Sequence, residues 1–256
     1  MKDWDINIYR GVLTGFNDAF IISEDKKNEI LSNCLDENER KRTAEIIRPI
    51  LRGRDIKRYG YEYANLYLIA TFPSRHYDIE QYPAIKKHLL SFRIERLEQT
   101  GKEYIINGEK IKARKKTNNK WFETQDSINY WDDFFKPKIC WGNLNLQASY
   151  CIAPEGMFVN APCPMIVPAS NYLLAVLNSR LADYYIRTLG VTRNGGYFEY
   201  KPMFVEQLPI PRLEDNSLFS SLGESPSIGE QRKINQMVYS LYNLTEEEIL
   251  FIENQL

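Results

Sequence analysis

The chain has 256 residues, 43% hydrophobic and 26% charged, with a formal net charge of −1. That composition suits one large globular domain with a small appendage, and its total charge excludes a strongly basic nucleic-acid binder. No apolar run approaches the ~18 residues that cross a bilayer, which excludes a membrane-spanning helix.

The opening Met1-Lys2-Asp3-Trp4 is polar and has no apolar signal core, so a cytoplasmic protein is expected. Residues 6–9 read as a strand, 14–18 as a turn and 19–22 as a return strand. Helices are predicted over 24–35 and 38–51, the second with Ile46, Ile47, Ile50 and Leu51 on one face and Pro49 near its end. An apolar strand follows at 66–72. Pro83 opens a helix whose buried stripe is Ile85, Leu89, Phe92 and Leu97, with Gly101 just past its end. The polar stretch 102–120 reads as a long hairpin or loop. Strands are expected at 136–141, 150–152, 158–160 and 165–167. Leu173, Val176, Leu177, Leu181 and Tyr184 place one long amphipathic helix over 171–188, stopped by Gly190. Residues 193–196 form a turn, 207–211 an edge strand or irregular segment, and 217–227 a linker. Ser227 with Glu230, and Thr245 with Glu248, are capping boxes that start two final helices.

This order of elements predicts an α/β (mixed α+β) fold: a twisted mixed β-sheet with flanking helices and a small C-terminal helical unit. The expected division is a body over 1–212 and a linker with a helical extension over 213–256. Charge divides the same way. From 213 onward eight acids face Arg232 and Lys233, so the tail carries −6 and the body +5.

Several chemistries find no motif. Cys34, Cys140, Cys151 and Cys163 form no Cys-x-x-Cys pair, and the only histidines are His76 and His88. Four reduced thiols are therefore expected and zinc is not. There is no phosphate-cradling glycine loop, no Gly-x-Ser-x-Gly elbow, no Asn-Pro-Pro-Tyr and no Pro-Asp…Glu-x-Lys nuclease cluster. A metal-dependent hydrolase would have to draw on Asp132, Asp133 or Glu199. Adjacent acids usually point apart and stay solvated.

A set of segments runs nearly end to end. Gly11, Thr14, Gly15, Asn17, Ala19 and Phe20 spell Gly-x-x-Thr-Gly-x-Asn-x-Ala-Phe. Residues 49–56 spell Pro-x-Leu-Arg-Gly-Arg-Asp-Ile. Tyr82-Pro83-Ala84-Ile85 with Leu89, Lys136-Pro137-Lys138-Ile139, Leu174 to Ser179, Gln207-Leu208-Pro209-Ile210-Pro211 and the tail 238–249 follow in order. With these segments the chain resembles the TaqI-like C-terminal specificity (target-recognition) domain of type IIG restriction-modification enzymes and adenine-specific DNA methyltransferases. The resemblance implies double-stranded DNA as partner. It also implies an N-terminal methyltransferase domain or subunit that uses S-adenosylmethionine, in some relatives with a Mg-dependent nuclease. None of that machinery is encoded in these residues, so the chain reads as a non-catalytic piece or a separate specificity subunit, with no cofactor of its own. The rival reading is a protein-interaction module of a phage-defence methyltransferase complex.

Sequence reading needs side chains that reach base edges, whereas phosphate contacts supply register and affinity. Asn143, Asn145 and Gln147 alternate with Leu144 and Leu146, which would put all three amides on one strand face as base readers; the bland alternative is a half-buried strand with a solvated face. Arg193 and Asn194, in a glycine turn, are the second base-reading candidates, against an ordinary surface turn. Lys112, Arg114, Lys115 and Lys116 within the basic stretch, with Lys136 and Lys138, are the phosphate candidates, against a solvated charge run. Arg52-Gly53-Arg54-Asp55 is expected to be structural, with Asp55 pairing an arginine or capping backbone. Phe135 and Trp141 are expected in the core.

Overall fold

A computed structural model describes residues 1, 4–213, 219 and 226–255. The first half runs β1 (Asn7–Arg10), α1 (Asn17–Phe20), β2 (Ile21–Ser23), α2 (Glu24–Ser32), α3 (Glu37–Ile46), β3 (Ile47–Leu51), β4 (Ile56–Lys57), β5 (Gly60–Tyr61), β6 (Leu66–Ile69), α4 (Pro83–Leu90), α5 (Ile94–Leu97), β7 (Glu103–Ile106) and β8 (Glu109–Lys112). The second half runs β9 (Lys138–Trp141), β10 (Leu144–Asn145), β11 (Tyr150–Ala153), β12 (Phe158–Val159), β13 (Pro164–Val167), α6 (Asn171–Leu177), α7 (Arg180–Leu189), β14 (Phe198–Glu199), α8 (Pro202–Val205), α9 (Ile228–Leu241) and α10 (Glu246–Gln255). The architecture is the mixed α/β class that the element order predicts.

One sheet, in order β1-β13-β9-β11, is antiparallel throughout. Both of its faces are covered. Cys140, Cys151, Met165 and Val167 turn to one core, while Ile139, Trp141, Tyr150 and Ile166 turn to the other. The period-2 alternation of a strand produces this split. A strand buried on both faces reads as a continuous apolar run, as 138–141 and 164–167 do.

The first core lies against the mixed sheet β12-β3-β6-β2, where β3 pairs antiparallel with β6 and parallel with β12. An aromatic stack closes it, with the Phe134 and Phe158 rings 4.1 Å apart. Trp141 is buried as expected, whereas Phe135 packs at the edge of this core and is only half-buried. The second core is filled by α6, α7 and the apolar face of α9, through Ile234 and Val238. Both capping boxes form. Ser227 and Glu230 bond each other's backbone N–H, as do Thr245 and Glu248.

Four segments differ from the sequence expectation. Residues 6–22 do not fold back as a hairpin; β1 pairs with β13 and β2 with β6. The reason is the route after β1. Gly11 N donates to Cys163 O and Val12 N to Val159 O, drawing the chain against β12 and β13. The approach is so close that a Cβ on Gly11 would lie 2.5 Å from Val159 O.

Residues 47–51 form strand β3, not the last turn of a helix. Pro49 cannot donate within a helix, it pushes Arg48 toward extended backbone, and the branched Ile47 and Ile50 fit a pleated surface. The helix from Pro83 stops at Leu90; Arg93, at φ 66°, separates it from the short α5. The long helix expected over 171–188 is two helices. Ser179 breaks it by capping α7, its Oγ accepting from Ala182 N at 3.2 Å.

The hairpin within 102–120 is present, with Asn107 and Gly108 both at positive φ in its turn. Residues 207–211 are irregular. Apart from Phe219, Pro226 and Ser227, the linker at 217–227 lies outside the described residues. Among the described residues no helix is long and apolar enough to cross a membrane.

Candidate nucleic-acid interface

A cleft of about 910 Å³ opens where four separate stretches of chain meet, among them Pro162 and Cys163. One wall is the turn that begins with Gly53 and Arg54 and runs to Lys57; the other carries 142–147 and the segment holding Arg193, Tyr197, Glu199 and Lys201.

The second wall is a short ribbon. β10 pairs antiparallel with β14, Leu144 opposite Glu199 and Asn145 opposite Phe198. Arg193 N donates to Tyr197 O at 2.7 Å, and Tyr200 N to Asn143 O at 2.8 Å. Gly190 is required where α7 ends against this ribbon, because a Cβ there would lie 2.8 Å from Glu199 O.

A buried carboxylate beneath the ribbon fixes its position. Asp183 accepts from Ala148 N at 3.2 Å, from Arg187 Nε at 3.0 Å and Nη2 at 3.1 Å, and from the Tyr200 hydroxyl. Burial and the neighbouring Asp183 keep that hydroxyl protonated far above its usual range. Arg187 reaches on to Leu146 O at 2.7 Å and lies over the Phe198 ring. A charge satisfied on every side makes a rigid mount for a loop. Sequence reasoning did not find Asp183 or Arg187. Their i,i+4 spacing on one helix was the available signal.

Asn143, Asn145, Gln147 and Arg193 all line the cleft. They do not share one face of an alternating strand, because β10 is only two residues long. Leu144 and Leu146, at 52% and 55% exposed, face solvent instead of core. Asn145 Nδ2 donates to Gly142 O at 2.8 Å, while Asn143 Oδ1 is buried with no hydrogen-bond partner among the described residues. Gln147 is exposed. Asn194 is exposed on its turn and does not line the cleft.

Glu199 is 3% exposed and paired twice. Arg193 Nε donates to its Oε1 at 2.6 Å, and Lys201 Nζ lies 2.8 Å from Oε2. Lys201 and Arg193 hold this carboxyl below its usual range. With both oxygens committed, Glu199 serves the ribbon as a staple. Asp133 is tied to Lys136, whose Nζ lies 2.7 Å away. Among the described residues no three His, Cys, Asp or Glu side chains gather as a metal site.

The Arg52 to Asp55 segment divides by role. Arg52 Nε and Nη2 grip Asp55 at 3.0 and 2.8 Å, as a structural pairing requires. Arg54 is exposed and lines the cleft with Lys57, so it joins the candidate readers that the sequence had set apart from this motif. Among the described residues the cleft thus carries Arg54, Lys57, Arg193 and Lys201 against the single carboxylate Glu199.

Two phosphate candidates are displaced by burial. Arg114 is 4% exposed, and its guanidinium donates to the carbonyls of Leu97, Thr14, Glu123 and Trp121 at 2.6–2.9 Å. Desolvation pushes its pKa down to about 10. Lys138 is fully buried and donates to Pro154 O at 2.7 Å, with burial pushing its pKa down to about 8. Neither reaches a phosphate. The hairpin swings the first toward backbone carbonyls, and the two-sided sheet swallows the second. Lys112, Lys115, Lys116 and Lys136 are exposed, away from the cleft lining.

The sequence matches the family described as TaqI-like C-terminal specificity domain over residues 48–210. Two restriction-modification enzymes are among the solved structures that share the fold. A type IIL restriction-modification enzyme, MmeI, in complex with DNA, matches 95% of this chain at a TM-score of 0.63 and 10% identity. The type IIG restriction endonuclease BpuSI matches 91% of it at a TM-score of 0.50 and 13% identity. The chain spans about 33% of the first and 25% of the second. No curated protein sequence matches it.

Proposed function

Because this chain belongs to the TaqI-like C-terminal specificity domain family, we propose that it reads double-stranded DNA for a type IIG-like restriction-modification adenine-N6 methyltransferase and performs no chemistry itself. The observation that carries this reading is the cleft, where Arg54, Asn143, Asn145, Gln147 and Arg193 converge from three parts of the chain. Arginine suits the guanine edge and amides suit the adenine edge in the major groove. A base-flipping methyltransferase needs such help, since its pocket recognises only the extruded adenine.

S-adenosylmethionine, and Mg where a nuclease is present, belong in this reading to the N-terminal methyltransferase part. Residues 1–212 act as the reading unit, with Lys112, Lys115, Lys116 and Lys136 gripping phosphate outside the cleft. Residues 213–256 form the extension, whose exposed Leu250 and Phe251 beside Glu246 and Glu247 suit contact with the methyltransferase partner.

The test is selection of duplexes from a randomised pool by the chain together with its methyltransferase. Enrichment of one motif, lost when Arg54 and Arg193 are replaced by Ala, is expected. Retention of duplexes with no shared motif would overturn sequence reading.

A further inference from the structure

A second polar pocket, of about 360 Å³, opens where the β4–β5 turn, the start of α7 and the first turns of α9 meet. Three guanidiniums line it, from Arg58, Arg180 and Arg232. They come from three separate parts of the chain, so the fold, not a local run of charge, brings them together. Among the described residues the single carboxylate in the lining is Glu253, and it is already committed to Arg180, whose Nε lies 2.7 Å from its Oε2.

The remaining donors are not used up. Arg58 Nη2 donates to the neutral Asn178 O at 2.7 Å, and no carboxylate pairs with Arg58 among the described residues. Arg232 is exposed and makes no ion pair or hydrogen bond among the described residues. Asn235 accepts from Arg180 N through Oδ1 at 3.1 Å, which leaves its amide NH2 as a further donor. Converging like charges with one committed counter-charge favour an anion. Guanidinium forks match the oxygens of phosphate, and donors arriving from three elements suit a tetrahedral anion better than a planar carboxylate.

The β4–β5 turn joins the two sites along the chain: Lys57 lines the cleft, and the next residue, Arg58, lines the pocket. We infer that Arg58, Arg180 and Arg232 form a seat for a phosphate group, filled by the backbone of a duplex bound by the chain or by a free phosphorylated ligand. In its first form this rests on the DNA reading proposed above. The seat would make α9, in the acidic part of the chain, a contributor to the grip.

Two measurements on the full chain test it. Inorganic phosphate is titrated while the arginine Nε–Hε signals are followed by NMR, in the wild type and in Arg232→Gln, which removes no contact made within the fold. A saturable shift in the wild type, abolished in Arg232→Gln, is expected; Arg58→Gln repeats the test from the opposite wall. Duplex affinity is then measured against salt, where one lost phosphate contact lowers the log–log slope by about 0.9. A phosphate shift with a reduced slope assigns the DNA backbone. A phosphate shift with an unchanged slope assigns a free ligand. No saturable shift together with an unchanged slope overturns the seat. A chain that binds no duplex at all counts against the DNA reading alone, because the phosphate arm needs no DNA.

Discussion

Asn178 and Tyr150 exchange two hydrogen bonds across the junction of helix and sheet. Tyr150 N donates to Asn178 Oδ1 at 3.0 Å, and Asn178 Nδ2 donates to Tyr150 O at 2.9 Å. Asn178 thus completes the backbone pairing of β11 with a side chain, at the point where α6 ends. Asn178→Ala would leave the buried Tyr150 N–H unpaired, while Tyr150 O keeps the bond from Tyr59 N at 2.8 Å. A loss of about 1–3 kcal/mol is expected, read from the denaturant midpoint at an unchanged m value. A loss under about 0.5 kcal/mol would show that the N–H finds another partner.

This pair also marks the limit of what the sequence reveals. The apolar spacing of Leu173, Val176 and Leu177 is legible and correctly gives a helix. The break at Asn178 and Ser179 is only half legible: the Ser179 cap is local, but the bonds that fix Asn178 need Tyr150, which is remote in sequence. The capping boxes at Ser227 and Thr245 and the turn at Asn107 and Gly108 were readable because their chemistry is local. Burial was not. Arg114 and Lys138 look like surface cations until the hairpin and the sheet place them inside. The same holds for the cleft, where the residues were visible one by one, but Arg54 joins Arg193 only through the fold.

Arg114 is a structural clamp, not a phosphate contact. Its guanidinium satisfies four carbonyls that tie the β7–β8 hairpin to the 14–16 turn and to 121–123. Arg114→Ala should destabilise the fold by roughly 3–5 kcal/mol, through lost charge-assisted bonds and orphaned acceptors. Thermal unfolding measures this, and hydrogen exchange should show the hairpin opening first. If Arg114→Ala keeps wild-type stability but weakens DNA binding, the clamp assignment fails.

Lys138 makes stability depend on pH. Its pKa is near 10.4 when unfolded and pushed down to about 8 in the fold. Between those values the unfolded chain keeps a proton that the folded chain has released, so this group's contribution to stability rises with pH through that window. Below pH 8 its burial penalty is felt in full. Lys138→Met removes the slope. Its stability relative to wild type should therefore be highest at pH 7 and fall by up to ~3 kcal/mol toward pH 10. Paired denaturation curves at the two pH values cancel the tyrosines common to both proteins. A difference that does not vary with pH would contradict the assignment.

The four cysteines should differ in reactivity. Cys140, Cys151 and Cys163 are buried, and burial raises all three thiols above their usual range. Burial raises the Cys34 thiol too, but Cys34 alone of the four is only half-buried and reaches solvent. Since the thiolate is the nucleophile, brief iodoacetamide treatment of the native protein should modify Cys34 first. Denatured protein should take up four adducts. Early modification of Cys163, which lies under the cleft floor, would mean that the cleft opens further than its walls allow.

The cleft and the basic hairpin predict different signatures. Arg193 has a side chain 55% exposed and directs its Nε edge at Glu199, which leaves Nη1 for an outside acceptor. A pinned arginine of this kind discriminates bases, because its fork is fixed before the partner arrives. Arg193→Ala should therefore cost about 1–3 kcal/mol on the selected duplex and relax preference at a single position. Lys115→Ala, on an exposed stretch past the end of β8 and with no paired acid among the described residues, should weaken all duplexes equally and lower the salt slope by about 0.9. Competition binding between matched and single-substituted duplexes separates the two. Should Arg193→Ala weaken every duplex alike, Arg193 grips phosphate, and base reading falls to Arg54 and the amides of 143–147.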